Sequence, residues 1–236
     1  MTLPRIDKPT FEMLIPSQNK KVTFRPFLVK EEKILLIAQQ SDNDRDIVRA
    51  LSQILVNCVQ DSDFKIEDLT IFDLEYMFLK LRAKSVNNIA AVNYQDLDDE
   101  KVREFKINLD EVEVKFDNSH NKNIKITDTV GIIMKYPSVF IAENVPDDSD
   151  PIKTLDYLVR SCIDSIYDED TVYSARDYSP EELDEFIDGL DVNTYDKIRM
   201  FFESMPKMSY VIEYDNDLGN HRKIELTSLR DFFSWG

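Results

Sequence analysis

Imidazole and thiol groups are scarce in this chain of 236 residues: two histidines, His120 and His221, and two cysteines, Cys58 and Cys162. A histidine acting as a general base needs a partner that orients it. Each of these lies in a polar turn, Asn118–Asn123 or Gly219–Arg222, the usual setting of a solvated side chain. The cysteines stand 104 positions apart, each in an apolar helical pattern and neither in a CxxC pair. Zinc and iron–sulfur centres draw on clustered ligands, so two free buried thiols in a reducing cytoplasm are expected. Carboxylates number 46. A glycosidase holds two of them at a set separation, and no spacing here marks such a pair. The run Asp215-Asn216-Asp217-Leu218-Gly219 approaches a calcium loop, but its glycine comes one residue early and position twelve is Leu226 rather than Glu. Only four glycines occur, and no two lie within 15 residues of each other. Phosphate-cradling loops need clustered glycines so that backbone N–H groups can approach the ligand. No catalytic, cofactor-binding or metal-ligating set is therefore expected.

The elements that would position any site read as α+β. The expectation is a mainly helical chain with an N-terminal β-hairpin, a small central antiparallel β unit and a C-terminal β-hairpin. Phe11–Ile15 and Val22–Phe24 flank the turn Pro16–Lys21 and predict the first hairpin. Lys30–Gln40 and Asp44–Val59 read as helices, the second with Ile47, Leu51, Ile54 and Cys58 on one face. Thr70–Ser85 is more informative. Phe72, Tyr76, Leu79 and Ala83 form one apolar stripe; Leu74, Phe78, Leu81 and Ser85 form a second, roughly opposite. A helix with two apolar stripes is covered on both sides. Either it is the centre of its domain, or the stripe of Leu74, Phe78 and Leu81 waits for a partner.

Residues 86–101 read as a connector. Alternation at Phe105–Leu109, Val112–Phe116 and Ile124–Ile126 predicts the central β unit, ending near Pro137. Asp150-Pro151 starts a helix whose face runs Ile152, Leu155, Val159, Cys162 and Ile166. Ser179-Pro180-Glu181-Glu182 is a capping box for the next helix, and Tyr195 to Met205 marks a last long one. Tyr210–Tyr214 and Lys223–Leu226 predict the C-terminal hairpin; it has the outline of a zinc ribbon without the cysteines. Leu229–Trp235 closes the chain with an aromatic cluster. The expected segments are 1–85, 86–137 and 138–236, packed as one compact unit.

Formal charge is −17, and it is uneven. Between Glu143 and Asp191 there are sixteen acids and three bases, so 13 of the 17 excess negative charges fall there. Such a field repels nucleic acid and anionic headgroups. A solvated, solubilising face is the plain reading. A docking surface for a basic partner is the sharper one, with Asp184, Glu185 and Asp188 as its candidates; an acidic mimic of DNA is a third. The N-terminus shows no apolar signal region, and the longest apolar runs are five residues, so no membrane insertion is expected.

Two stretches carry a family resemblance. Ile15-Pro16-Ser17 with Lys20-Lys21 and Phe24-Arg25-Pro26-Phe27-Leu28-Val29-Lys30-Glu31-Glu32-Lys33 is similar to the opening of baseplate hub assembly proteins of T-even-type contractile-tailed phages. Phe72–Ser85 resembles that family's second signature, with weaker echoes at Ile132–Pro137 and Leu229–Phe233. The resemblance implies a non-enzymatic virus protein that helps assemble the central hub of the tail baseplate. It implies other hub proteins as partners, leaves self-association open, and supplies no catalytic residues. It places the protein in the host cytoplasm during assembly, and in the virion if it stays in the particle. The rival classes are an envelope-degrading hydrolase of the tail hub and the acidic DNA mimic.

Overall fold

A computed structural model describes residues 7–38, 40, 43–146 and 150–232. The elements run β1 (Phe11–Ile15), β2 (Lys20–Phe24), α1 (Val29–Ala38), α2 (Asp44–Cys58), α3 (Ile71–Ser85), β3 (Ile89–Gln95), β4 (Val102–Asn108) and β5 (Glu113–Lys115). They continue with β6 (Asn123–Lys125), β7 (Gly131–Met134), α4 (Val139–Glu143), α5 (Pro151–Cys162), β8 (Ile163–Tyr167), β9 (Val172–Ser174) and α6 (Pro180–Asp188). Last come α7 (Val192–Glu203), β10 (Lys207–Asp215), β11 (His221–Leu226) and α8 (Leu229–Phe232). Helix takes 41% and strand 28% of the described residues, so the class is α+β but the chain is less dominated by helix than its periodicities suggest. Phe233 and Trp235 lie outside the described residues.

The chain divides into two units. The first is discontinuous, residues 1–115 and 207–236; the second is residues 116–206. These boundaries differ from the expected breaks at 85 and 137. The reason is a long-range pairing: β10 lies between β11 and β5, so the C-terminal hairpin completes a sheet begun about a hundred residues earlier.

In the first unit β1 and β2 form the expected hairpin, with Met13, Ile15, Val22 and Phe24 turned inward at period two. Helix α3 is the centre. It packs against β1, α2, β5, β10 and α8. Both of its stripes are interior: Phe72 and Leu79 on one, Leu74, Phe78 and Leu81 on the other, with Met77 between them. Thr70 and Asp73 close a reciprocal capping box at its start.

The two stretches that carry the family resemblance are fastened to each other here. The fully buried Asp73 carboxylate accepts from the Ser17 backbone N–H (2.8 Å) and hydroxyl (2.6 Å). Ser85 Oγ accepts from the Phe27 N–H at 3.0 Å. Arg25, at the end of the hairpin, pairs with the buried Glu31 of α1 at 3.0 Å and donates to the Asn57 carbonyl of α2 at 2.8 Å. Glu31 in turn accepts from the Leu28 N–H. Burying a carboxylate is costly unless its oxygens find donors: Glu31 has an ion pair and a backbone N–H, and Asp73 has hydroxyl and backbone N–H donors. The residue types of the signatures are thus accounted for by assembly of the fold. Lys80 of α3 donates to the carbonyls of Leu109, Asp110 and Val112, fixing the segment that leads into β5.

The expected central β unit is not one sheet. Its three predicted runs go to three partners: β4 pairs with β3, β5 with β10, and β6 with β7. Strand β3 occupies the middle of the expected connector. Only Ala90 of β3 is buried, so the strand is held by backbone pairing rather than by an apolar face, and it leaves little hydrophobic pattern. The second unit is an antiparallel sheet β6-β7-β8-β9 with α5, α6 and α7. Ile132, Met134, Val159, Cys162, Ile163 and Ile198 form the heart of its core. Ile166 belongs to β8 and not to the helix before it. Cys162 and Ile166 are spaced as on a helix, but the chain turns extended at Ile163. Asp150 caps α5 and the Ser179–Glu182 box caps α6, both as expected.

Candidate protein-binding surface

Most groups with reactive potential are occupied by the fold. His120 is not solvated: its ring lies 5.4 Å from Tyr136 and 5.0 Å from Phe201, and Nδ1 is 2.9 Å from Ser204 Oγ. Burial lowers its pKa. His221 is exposed and 3.0 Å from Asp215. Both cysteines are free and buried, and burial pushes the thiols up to about 11 for Cys58 and about 12 for Cys162. Such thiols are poor nucleophiles and poor metal ligands at neutral pH.

The calcium-like run is spent on structure as well. Asn216 Oδ1 accepts from the N–H groups of Leu218 and Asn220 inside the β10–β11 turn. Asp217 pairs with Lys101 and Arg103 from the β3–β4 hairpin. In the same network the buried Asp96 accepts from Tyr214 Oη at 2.6 Å, and Arg222 pairs with Asp98 at 3.1 Å. The Tyr214 hydroxyl holds the Asp96 carboxyl below the usual range. Sequence reading missed this network because its partners come from hairpins over a hundred residues apart. No group of three or more His, Cys, Asp or Glu is placed to hold a metal ion among the described residues.

One carboxylate is pushed upward among the described residues. Glu75 of α3 rises to about 7 through burial, with a long bond from the Leu229 N–H (3.4 Å) and the charge of Asp231 acting on it. Asp231 itself is engaged by the N–H groups of Thr227 and Ser228. This pair braces the start of α8.

The second unit carries a groove of about 430 Å³. Strands β8 and β9 give it Ile166, Tyr167 and Tyr173; the segment entering α6 gives Tyr178, and α6 itself gives Leu183 and Phe186. Tyr173 and Tyr178 meet edge to face with centroids 6.4 Å apart. Tyr167 lies across Gly131, where a Cβ would fall 2.4 Å from its phenol oxygen, and Tyr167 Oη donates to Asn123 at 2.7 Å. Gly131 is therefore what lets this wall lie flat. Two carboxylates face the groove, Asp168 and Glu182. Asp168 accepts from Tyr173 Oη at 2.7 Å and from the N–H groups of Asp170 and Thr171; the Tyr173 bond leads in holding its pKa down. Glu182 accepts from the Ser179 N–H in the capping box. The groove walls are thus aromatic, and the charged side chains lining it are both acidic.

Beside the groove, Leu183 and Ile187 of α6 point into the core, while Glu181, Glu185 and Asp188 are exposed. The three sequence candidates on this helix differ. Glu185 and Asp188 are free to face solvent, whereas Asp184 is paired with Arg160 of α5. Leu74, Phe78 and Leu81 are 1%, 0% and 0% exposed. Their stripe is core, because α3 is enclosed by its neighbours, and it offers nothing to a partner. The groove had no sequence signal: its tyrosines come from a strand misread as helix, a three-residue strand and a cap.

A family model described as T4 bacteriophage base plate protein matches residues 8–234. No curated protein and no solved structure matches the chain.

Proposed function

The chain belongs to the T4 bacteriophage base plate protein family, and from that premise we propose that it acts without catalysis in assembling the central hub of the tail baseplate. It does so by binding other hub proteins through the acidic surface of its second unit. The observation that carries this reading is the exposed row of Glu181, Glu185 and Asp188 on a capped, rigid helix, set in the segment that holds most of the chain's excess negative charge. A helix holds charges at fixed spacing, so a basic partner meets them in register. Attraction of this kind chiefly speeds encounter, and salt screens it over about 8 Å at physiological strength.

Against a hydrolase, the two groove carboxylates are already engaged as hydrogen-bond acceptors, and the Tyr173 bond lowers the Asp168 pKa, opposite to the shift a general acid needs. The test is co-expression with the other hub proteins, native mass spectrometry of the products, and association kinetics at rising salt. Complexes are expected, with stoichiometries that also reveal any self-association. The triple change Glu181→Gln, Glu185→Gln, Asp188→Asn should slow association several-fold and leave thermal stability unchanged. An association rate indifferent to both salt and these substitutions leaves the acidic face a solubility device. Peptidoglycan turnover lost on replacing one carboxylate, with the fold intact, overturns the non-enzymatic reading.

A further inference from the structure

We propose, building on that reading, that the tyrosine-lined groove of the second unit is a socket for an arginine side chain presented, with an apolar neighbour, by a partner baseplate protein. The chemistry of the lining selects the occupant. Every charged group lining it is a carboxylate, Asp168 or Glu182, and no basic residue contributes. Two phenol hydroxyls, Tyr167 and Tyr173, already donate to Asn123 and Asp168. What those groups still offer is acceptor capacity: carboxylate lone pairs, phenol oxygens and aromatic faces. An anionic ligand would find like charge, and a neutral sugar would find those two hydroxyl donors committed. A cation with a flat apolar body finds all three features complementary.

Arginine fits better than lysine. Its guanidinium is planar, stacks on aromatic faces and bonds carboxylates bidentately, and it is more weakly hydrated than an ammonium group. Tyr173 and Tyr178, edge to face, present two ring orientations to such a plane. The volume, about 430 Å³, lies in the range of sites that take a drug-sized group, about 300–1,000 Å³. That leaves room for one long side chain and the apolar residue next to it, which Ile166, Leu183 and Phe186 would cover. A buried arginine held among aromatics is also a common anchor of protein interfaces. The exposed carboxylates of α6 then serve as the approach and the groove as the lock, so electrostatics sets the encounter rate and the groove sets the lifetime.

The experiment uses the whole ¹⁵N-labelled chain titrated with three probes: acetyl-Leu-Arg-amide, acetyl-Leu-citrulline-amide and acetyl-Leu-Glu-amide. Citrulline keeps the shape of arginine and removes its charge. The arginyl probe should shift the amide resonances of Tyr173, Tyr178 and Leu183 in a saturable way. The citrulline probe should bind at least fivefold more weakly, and the glutamyl probe should give no saturation. Raising salt should weaken the arginyl probe several-fold. Tyr178→Ala, at a residue 39% exposed, should abolish arginyl binding with the melting temperature unchanged. Should that variant melt early, the wild-type comparison of arginine with citrulline still decides. Equal shifts from arginine and citrulline, or shifts elsewhere on the chain, overturn the socket. Concentration-dependent self-association that broadens the groove resonances would seat a second copy there and also overturn it. Hub complexes that form without any arginyl binding sink the socket alone; arginyl binding without hub complexes sinks the hub reading alone.

Discussion

Replacing Asp73 by alanine tests whether the fold is held where the two signature segments meet. The carboxylate accepts four hydrogen bonds: from Ser17 N at 2.8 Å, Ser17 Oγ at 2.6 Å, Thr70 N at 3.0 Å and Thr70 Oγ1 at 2.6 Å. The Thr70 bonds belong to the helix cap, whose loss typically costs about 1 kcal/mol. The Ser17 bonds tie the β1–β2 turn to α3 across 56 residues. Bonds to a charged acceptor contribute about 1.5–3 kcal/mol each. Ser17 is exposed, however, and water replaces part of what is lost, so about 1 kcal/mol for each is the better figure. The expected total is about 3 kcal/mol. Asp73→Asn keeps one acceptor oxygen and turns an amide N–H₂ toward donors, so it should cost about 2 kcal/mol. Urea denaturation monitored by circular dichroism measures both, and the Ser17 amide resonance reports the local bond. A loss below about 0.5 kcal/mol for Asp73→Ala, the range of an ordinary surface change, would refute the reasoning.

Leu79→Ala and Leu81→Ala, each fully buried on opposite stripes of α3, should each cost about 2–5 kcal/mol in the same assay; a neutral result at either position would mean that stripe is not core. Glu75 supplies a pH dependence. Its folded pKa, about 7, stands above the ordinary 4.5, so the folded state binds more protons, and stability is fully present below about pH 4.5 and is lost as pH rises through about 7. Glu75→Gln should flatten the fall in the urea midpoint across that window and raise the midpoint at pH 8; an unaltered profile would remove Glu75 as its source.

Much of the fold was legible where local chemistry decides it. The two stripes of α3, the caps at Asp150 and Ser179 and the terminal hairpins all announce themselves within a few residues, because helical spacing, capping oxygens and tight turns are short-range features. Sheet partners were not legible. Val114 gives the same alternation whichever strand it meets, and only the folded chain sets it opposite Met208. At Cys162 and Ile166 one spacing satisfied helix and strand alike. Of the candidate surface, the acidic helix was readable from composition and the groove was not, since Tyr167, Tyr173 and Tyr178 become neighbours only through β8–β9 pairing. Asp184 looked equivalent to Glu185 and Asp188 until Arg160 was placed beside it.

The discontinuity of the first unit bears on how the protein is made. Synthesis delivers residues 1–115 first, and β5 then has to wait for β10, which follows only after residue 206. Chains are made at about 5–20 residues per second, so the gap lasts on the order of ten seconds. During that time the edge of β5 is unpaired and the side of α3 that β10 and α8 will cover is bare. The second unit, contiguous in sequence, has all its strands in hand before the first does. Its folding can therefore precede closure of the first unit, and released chains that end at residue 206 would carry every residue of the second unit on an unfinished first one.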